Sequence, residues 1–460
     1  MKPVIALLGR PNVGKSTLFN RLTNSRSALV YDFPGVTRDM LYGEGDRDGR
    51  RFLVVDTAGM ESGDNDPVLD LANAQQQQVL KDCSVVLFLV DARCGLLPAD
   101  SLIATQLRRQ EKPVFLVVNK AEGLTEASAA ADFYGLGLGL PKRISALQGD
   151  GISSLLKEVL PAQAQTTEEE AIVHPVIALV GRPNVGKSTL TNMLLGESRV
   201  VVFDQPGTTR DSVCIPFEWQ DQSCQLIDTA GIRRRGRINS PLEQLSVVKT
   251  MQTVDAADVV LLLLDARTGV VDQDAALAGL VERWGRAIVL VVNKWDGLTV
   301  RQRTDLRRAI DRRLPFLNYL KPRMISALHG SGVDQIMPAA MTAYESAVRD
   351  LGTGALNRHL AKAIEVRTPP LVGRRRIRLK YVHQGGKNPP RVIVHGNQLD
   401  HLPGHYLRYL SNYFTRAFGL DGTRVRLELR SNENPYAPKA AHKSLRRPSV
   451  NRGRREGKRI

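Results

Sequence analysis

Apolar positions in this chain gather into short unbroken runs separated by polar, glycine-bearing stretches, and the runs form two matching sets. VIALLG, FLVVD, VVLFLVD and VFLVVN come first; VIALVG, CQLID, VVLLLLD and AIVLVVN follow in the same order. Runs of this length without polar alternation suit strands buried on both faces, and the stretches between them are long enough for crossover helices. The pattern predicts, for each set, an α/β domain with a mostly parallel, doubly wound sheet whose ligand loops lie at the carboxyl ends of the strands. Beyond Asp350 the rhythm changes. A helix through Leu356 to Glu365, a strand RRIRLKYVH, a turn at GGKNPP, a strand RVIVHGN, a helix from His405 to Phe418 and a closing strand RVRLELR predict a small α+β domain.

The two sets belong to a duplicated unit. GRPNVGKSTL occurs at Gly9 to Leu18 and again, unchanged, at Gly181 to Leu190. PGVTRD (Pro34 to Asp39) and DTAG (Asp56 to Gly59) recur at the same offset of 172 residues, as PGTTRD and DTAG. NKAE (Asn119 to Glu122) and NKWD (Asn293 to Asp296) lie 174 apart, and Ser145-Ala146 and Ser326-Ala327 lie 181 apart. Insertions therefore collect toward the C-terminal half of the unit, where surface loops drift. The domains expected are residues 1–160 and 175–350, joined by an acidic linker at 161–174, then a basic domain at 351–435 and a basic disordered tail at 436–460.

Composition adds one decisive feature. Of the net charge of +17, residues 351–460 supply +18, with 24 Lys and Arg against 6 Asp and Glu, so this basic stretch is a functional unit of its own. Its RRRIRLK stretch (Arg374 to Lys380) reads as a binder of phosphate backbone. A GxxG at Gly419 to Gly422 lies between a helix and the closing strand, where it is expected to cap the helix instead of clamping nucleotides. Four scattered cysteines with no CxxC pair predict reduced thiols in a cytoplasmic protein, and no apolar run approaches the roughly 20 residues of a membrane span.

GxxxxGKS after a buried strand and before a helix is a P-loop, in which backbone N–H groups face phosphates at a helix N-terminus. Gly9, Asn12, Val13, Gly14, Lys15, Ser16 and Thr17 form the first, and Gly181, Asn184, Val185, Gly186, Lys187, Ser188 and Thr189 the second. Lys15 and Lys187 are expected at the β and γ phosphates, and Ser16 and Ser188 on Mg²⁺. Asp56 and Asp228 supply a carboxylate for Mg²⁺, Thr37 and Thr209 a second hydroxyl, and Gly59 and Gly231 a backbone N–H to the γ-phosphate. A carboxylate after Asn-Lys can accept both the N1–H and the amino group of guanine, a donor pair that adenine lacks. Asn293, Lys294 and Asp296 therefore select GTP over ATP. Asn119, Lys120 and Glu122 do so in the first unit with an acid one methylene longer. Ala146 and Ala327, after Ser145 and Ser326, fit a backbone contact to guanine O6.

Tandem GTP-binding domains followed by a small basic domain resemble the EngA/Der family of bacterial ribosome-assembly GTPases, a likeness that runs to about Asn434. The resemblance implies a C-terminal KH-like fold, GTP/GDP and Mg²⁺ as ligands, and the large ribosomal subunit and its rRNA as partners. DNA and membranes are not implied, nor is self-association off the ribosome. Met60 and Ile232 follow DTAG where many GTPases carry a water-orienting glutamine. The resemblance extends to GTPases in which a P-loop asparagine, here Asn12 and Asn184, helps to bind K⁺; the competing reading is that both only stabilise their loops through local hydrogen bonds. A metabolic P-loop kinase lacks NKxD, and an iron-transport GTPase needs membrane helices. The alternative kept is a tRNA-modification-type or other RNA-associated regulatory GTPase with one non-hydrolysing domain.

Overall fold

The protein is described here from a computed structural model, which covers residues 2–23, 40–57, 74–125, 130–160, 175–196, 200–202, 213–220, 222–228, 247–372 and 375–431. The predicted site residues Thr37, Gly59, Thr209 and Gly231 lie outside these, as do Met60, Ile232, the stretch 161–174 and the tail.

The first sheet contains β1 (Val4–Leu8), β2 (Leu41–Arg47), β3 (Arg50–Asp56), β4 (Val85–Asp91), β5 (Val114–Asn119) and β6 (Lys142–Arg143), in the order β2-β3-β1-β4-β5-β6. All pairs are parallel except β2 with β3. The second sheet has β7 (Val176–Val180), β8 (Val200–Val202), β9 (Val213–Trp219), β10 (Gln222–Asp228), β11 (Val259–Asp265), β12 (Ala287–Asn293) and β13 (Arg323–Met324). Its order, β13-β12-β11-β7-β10-β9-β8, repeats the first with one more antiparallel edge strand. β4 and β11 are buried along their whole length, as their unbroken apolar runs require. Sequence patterning missed β2 and β9. LYGEGDR has two glycines and charged residues because it pairs on one side of an antiparallel hairpin, where burial of both faces is not demanded.

The third sheet, β16 (Arg378–Gly386), β17 (Arg391–Asn397) and β18 (Arg426–Ser431), follows a short hairpin of β14 (Leu371–Val372) and β15 (Arg375–Arg376). Helices Thr353–Val366 and Gly404–Ala417 cover one face of this sheet, burying Leu356, Leu360, Leu410 and Phe414 against Val382, Val392 and Val394. RRIRLKYVH was expected as one strand; Ile377 instead separates β15 from β16 and turns inward to the core.

The three units pack together. Helices Ala74–Asp82 and Val247–Ala256 join the two large sheets' cores in one apolar cluster, flanked by an ion pair of Lys249 with Asp82 and by Lys2, which reaches both Glu44 and Asp255. The C-terminal unit docks on the second through Gly422, whose carbonyl accepts the Ile288 N–H at 2.6 Å. A Cβ on Gly422 would stand 2.4 Å from that of Ala343, so only glycine permits this approach. The GxxG thus caps its helix, with Gly419 N–H donating to Arg416 O, and also docks a domain.

Candidate functional site

Each P-loop leaves the central strand of its sheet and turns into a helix, Lys15–Leu22 in the first unit and Lys187–Gly196 in the second. The turn needs left-handed backbone at two places: Asn12 and Asn184 both have φ of +63°, and Gly14 and Gly186 have +98° and +102°. A Cβ at either glycine would lie 2.2 Å from the side-chain amide nitrogen of Asn119 or Asn293. That approach belongs to the site itself. Asn119 Nδ2 donates to Val13 O at 2.8 Å and its Oδ1 accepts Ala146 N–H at 2.9 Å; Asn293 makes the same two bonds to Val185 and Ala327 at the same distances. One buried amide therefore ties the phosphate loop to the base loop in each unit.

The lysine of the base motif is also used structurally. Lys120 Nζ donates to Asn12 O and Asp91 Oδ2, both at 2.7 Å, and Lys294 does so to Asn184 O and Asp265 Oδ2. Asp91 and Asp265 were missed from the sequence. Their signal was present, since both end the third apolar run of their set and lie 174 residues apart, like the NKxx motifs. Burial alone would raise the Asp91 carboxyl, but its hydrogen bonds from Lys120 and the Arg93 N–H outweigh this and hold it below the ordinary range. A second missed pair joins the P-loop to the helix that follows β4 or β11: Arg10 to Asp100 and Arg182 to Asp274, each Nε to Oδ1 at 2.7 Å. Both aspartates are fully buried and accept a helix-start N–H from Leu97 or Val271.

Lys15 lies back along its loop, donating to Gly9 O and Arg10 O, and Lys187 does the same to Gly181 O and Arg182 O. Ser16 Oγ donates to Asp56 Oδ2 at 3.0 Å, which brings together the hydroxyl and carboxylate that a hard, oxygen-seeking cation needs. The backbone of Asp228 pairs with Leu179 in the register that Asp56 keeps with Leu7, and Ser188 is exposed at its helix start. Thr17 and Thr189 are exposed on the same first turns, while Ser145 and Ser326 are buried beneath the base loops.

The two base motifs differ. Glu122 Oε1 accepts Arg93 at 3.0 Å, and its Oε2 is buried with no hydrogen-bond partner among the described residues. An orphaned acceptor at this position fits a ligand edge carrying donors. Asp296 has Ser326 beside it, with Arg267 and His329 at 3.9 and 3.6 Å, and these groups hold its carboxyl below the ordinary range. It is therefore an acceptor throughout the neutral pH range.

Two repeated P-loops, each clasped to a base loop by an asparagine, define a tandem P-loop GTPase carrying a third, basic domain. The family described as 50S ribosome-binding GTPase matches residues 4–120 and 176–294, and the KH-domain-like C-terminal domain of EngA bacterial GTPase enzymes matches residues 351–430. GTPase Der of Coxiella burnetii (strain Dugway 5J108-111) is 50% identical over 439 residues, 95% of this chain and 99% of the relative; GTPase Der of Citrobacter koseri is 48% identical over 468 residues, 95% of each. Among solved structures, Aquifex aeolicus Era bound to GDP·AlF4⁻ shares 21% identity with a TM-score of 0.28, covering 56% of this chain and 92% of that one. The chain belongs to the EngA/Der family of GTPases. Among the described residues, no helix is long and apolar enough to cross a membrane.

Proposed function

We propose that this GTPase acts in the assembly of the large ribosomal subunit, its nucleotide state governing association with rRNA. The observation that supports this most is the coupling of two equivalent phosphate-and-base clasps to a strongly basic domain docked on the second of them. Lys15 and Lys187 turn from their loop carbonyls to the β and γ phosphates, and the acids Glu122 and Asp296 accept the guanine edge. Thr37 and Thr209 would add a second hydroxyl for Mg²⁺, and Gly59 and Gly231 a backbone N–H to the γ-phosphate. Mg²⁺ would supply charge neutralisation to the phosphates. Ser16 with Asp56 and Ser188 with Asp228 would hold it.

Neither DTAG is followed by a residue able to orient water, so Asn12 and Asn184 are assigned to K⁺, whose positive charge would stabilise the transition state. Phosphate release is expected to be faster in potassium than in sodium, with Asn12→Ala and Asn184→Ala each erasing the difference at its own site. Equal rates in the two salts overturn the assignment. The functional proposal itself is tested by co-sedimentation with purified ribosomal subunits in GDP and in a non-hydrolysable GTP analogue. Nucleotide-dependent binding to the large subunit is expected; indifference to nucleotide refutes it.

The Arg93–Glu122 pair, which has no equally close counterpart at Asp296, favours a second reading in which the first site is a slower or non-hydrolysing switch. Single-turnover hydrolysis with one P-loop lysine replaced at a time separates the two.

A further inference from the structure

The C-terminal sheet has two faces with different duties. Its inner face is closed by two helices, so nothing on the outer face is needed to bury the core. Register places Tyr381 opposite His395 and His395 beside Arg430, with His383, Ile393 and Glu428 forming the next row on the same outer face. The three rings gather on that face. His383 stacks on His395 with centroids 5.1 Å apart and planes 18° from parallel, and Tyr381 stacks on His383 at 5.7 Å and 28°. Tyr381 lies 6.0 Å from His395.

This face meets solvent. Tyr381 is 45% exposed, and Arg378, Lys380, Arg391 and Arg430 around it are exposed as well. A phenol and two imidazoles gathered on an open sheet face offer π surface and polar edges that a flat, hydrogen-bonding partner can cover. The charge around it selects the cover: residues 351–430 hold 15 Lys and Arg against 4 Asp and Glu. Nucleobases present flat π faces, stack on aromatic side chains without regard to sequence, and bring phosphates that cations can neutralise. A protein partner with an acidic rim is less well matched, since a run of rings stacked pairwise along the face offers little relief for side-chain interdigitation. Duplex RNA keeps its bases stacked internally and has none to offer.

We propose that Tyr381, His383 and His395 form a base-stacking platform for single-stranded RNA on the outer face of the C-terminal sheet, with Arg378, Lys380 and Arg430 neutralising the backbone beside it. The inference rests on the rRNA association proposed above and names the part of the chain that meets unpaired nucleotides.

The full chain is titrated with a short labelled single-stranded oligouridine and with a duplex of the same length, by fluorescence anisotropy across a salt series. Tyr381→Ala and His395→Ala are each expected to weaken single-strand binding about 5- to 150-fold, the equivalent of one lost stacking contact. Duplex binding and the salt slope should stay unchanged. Tyr381→Phe keeps the ring and should bind as the parent does, which separates stacking from a folding defect. Arg430→Ala together with Lys380→Ala should instead flatten the salt slope. Parent-like affinity in Tyr381→Ala, or failure of the parent chain to prefer the single strand, overturns the platform. Neither result touches nucleotide-dependent co-sedimentation, which stands or falls separately. Loss of binding to a protein of the large subunit, with oligouridine binding intact, would reassign the face to a protein partner and reject the proposal.

Discussion

Asn119 and Asn293 each make one hydrogen bond to the phosphate loop and one to the base loop, and neither amide touches solvent appreciably. Removing such a group leaves a buried carbonyl and a buried N–H without partners, at about 1 to 3 kcal/mol each. Asn293→Ala should therefore lower the thermal midpoint of the second unit and abolish its guanine-nucleotide binding, both measurable by thermal shift with and without GDP; an unchanged midpoint would mean that the clasp is not structural. Asp296 has a different task. Its depressed carboxyl is ionised at neutral pH, so Asp296→Asn exchanges an acceptor for a donor where guanine also donates. In a two-site titration one site should weaken for GDP and gain xanthosine diphosphate. Retention of GDP preference at both sites removes Asp296 from base selection.

The glycines at the loop-to-helix junctions decide whether the elements can meet at all. Gly14→Ala places a methyl in left-handed backbone and 2.2 Å from Asn119 Nδ2, so the loop must open or the clasp must break. Bound-nucleotide stoichiometry should fall from two to one, and Gly186→Ala should remove the other. Two nucleotides per chain in either variant would show that the loop tolerates the displacement. The clasp was only half legible in the sequence. GxxxxGKS and NKxx were readable because each is a local pattern with local chemistry. Their attachment to each other was not, because Asn119 and Val13 are 106 positions apart and meet only when strand order sets β5 near β1, with β4 between them. The same holds for Asp91, which becomes the partner of Lys120 because β4 and β5 pair with Asp91 beside Asn119.

At the scale of the molecule, helices Ala74–Asp82 and Val247–Ala256 are each the first described element after a DTAG motif, and they pack against each other. The two G domains therefore meet directly through the helices that follow their DTAG motifs. Lys2 spans the same junction, with its side chain largely covered and bonded to Glu44 and to Asp255, 253 positions away. Lys2→Glu turns both attractions into repulsions between partly buried charges, which are strongly unfavourable. Small-angle scattering should report a larger radius of gyration, partly restored by Asp255→Lys in the same chain. Identical scattering curves would show that the apolar helix contact alone holds the junction.

The amino-acid sequence by itself determined the duplication, the two phosphate loops, the choice of guanine chemistry and the basic character of residues 351–460. Each is encoded in contiguous residues or in charge, and backbone geometry next to a glycine needs no distant partner. Tertiary structure alone decided that Arg10 would meet Asp100, that Gly422 would become a docking point on β12, and that Tyr381, His383 and His395 would share one open face. Hydrophobic periodicity states that a surface is buried without naming what buries it. Partners come from strand order, register and the fit of one face on another, and none of these is written in any single stretch of chain.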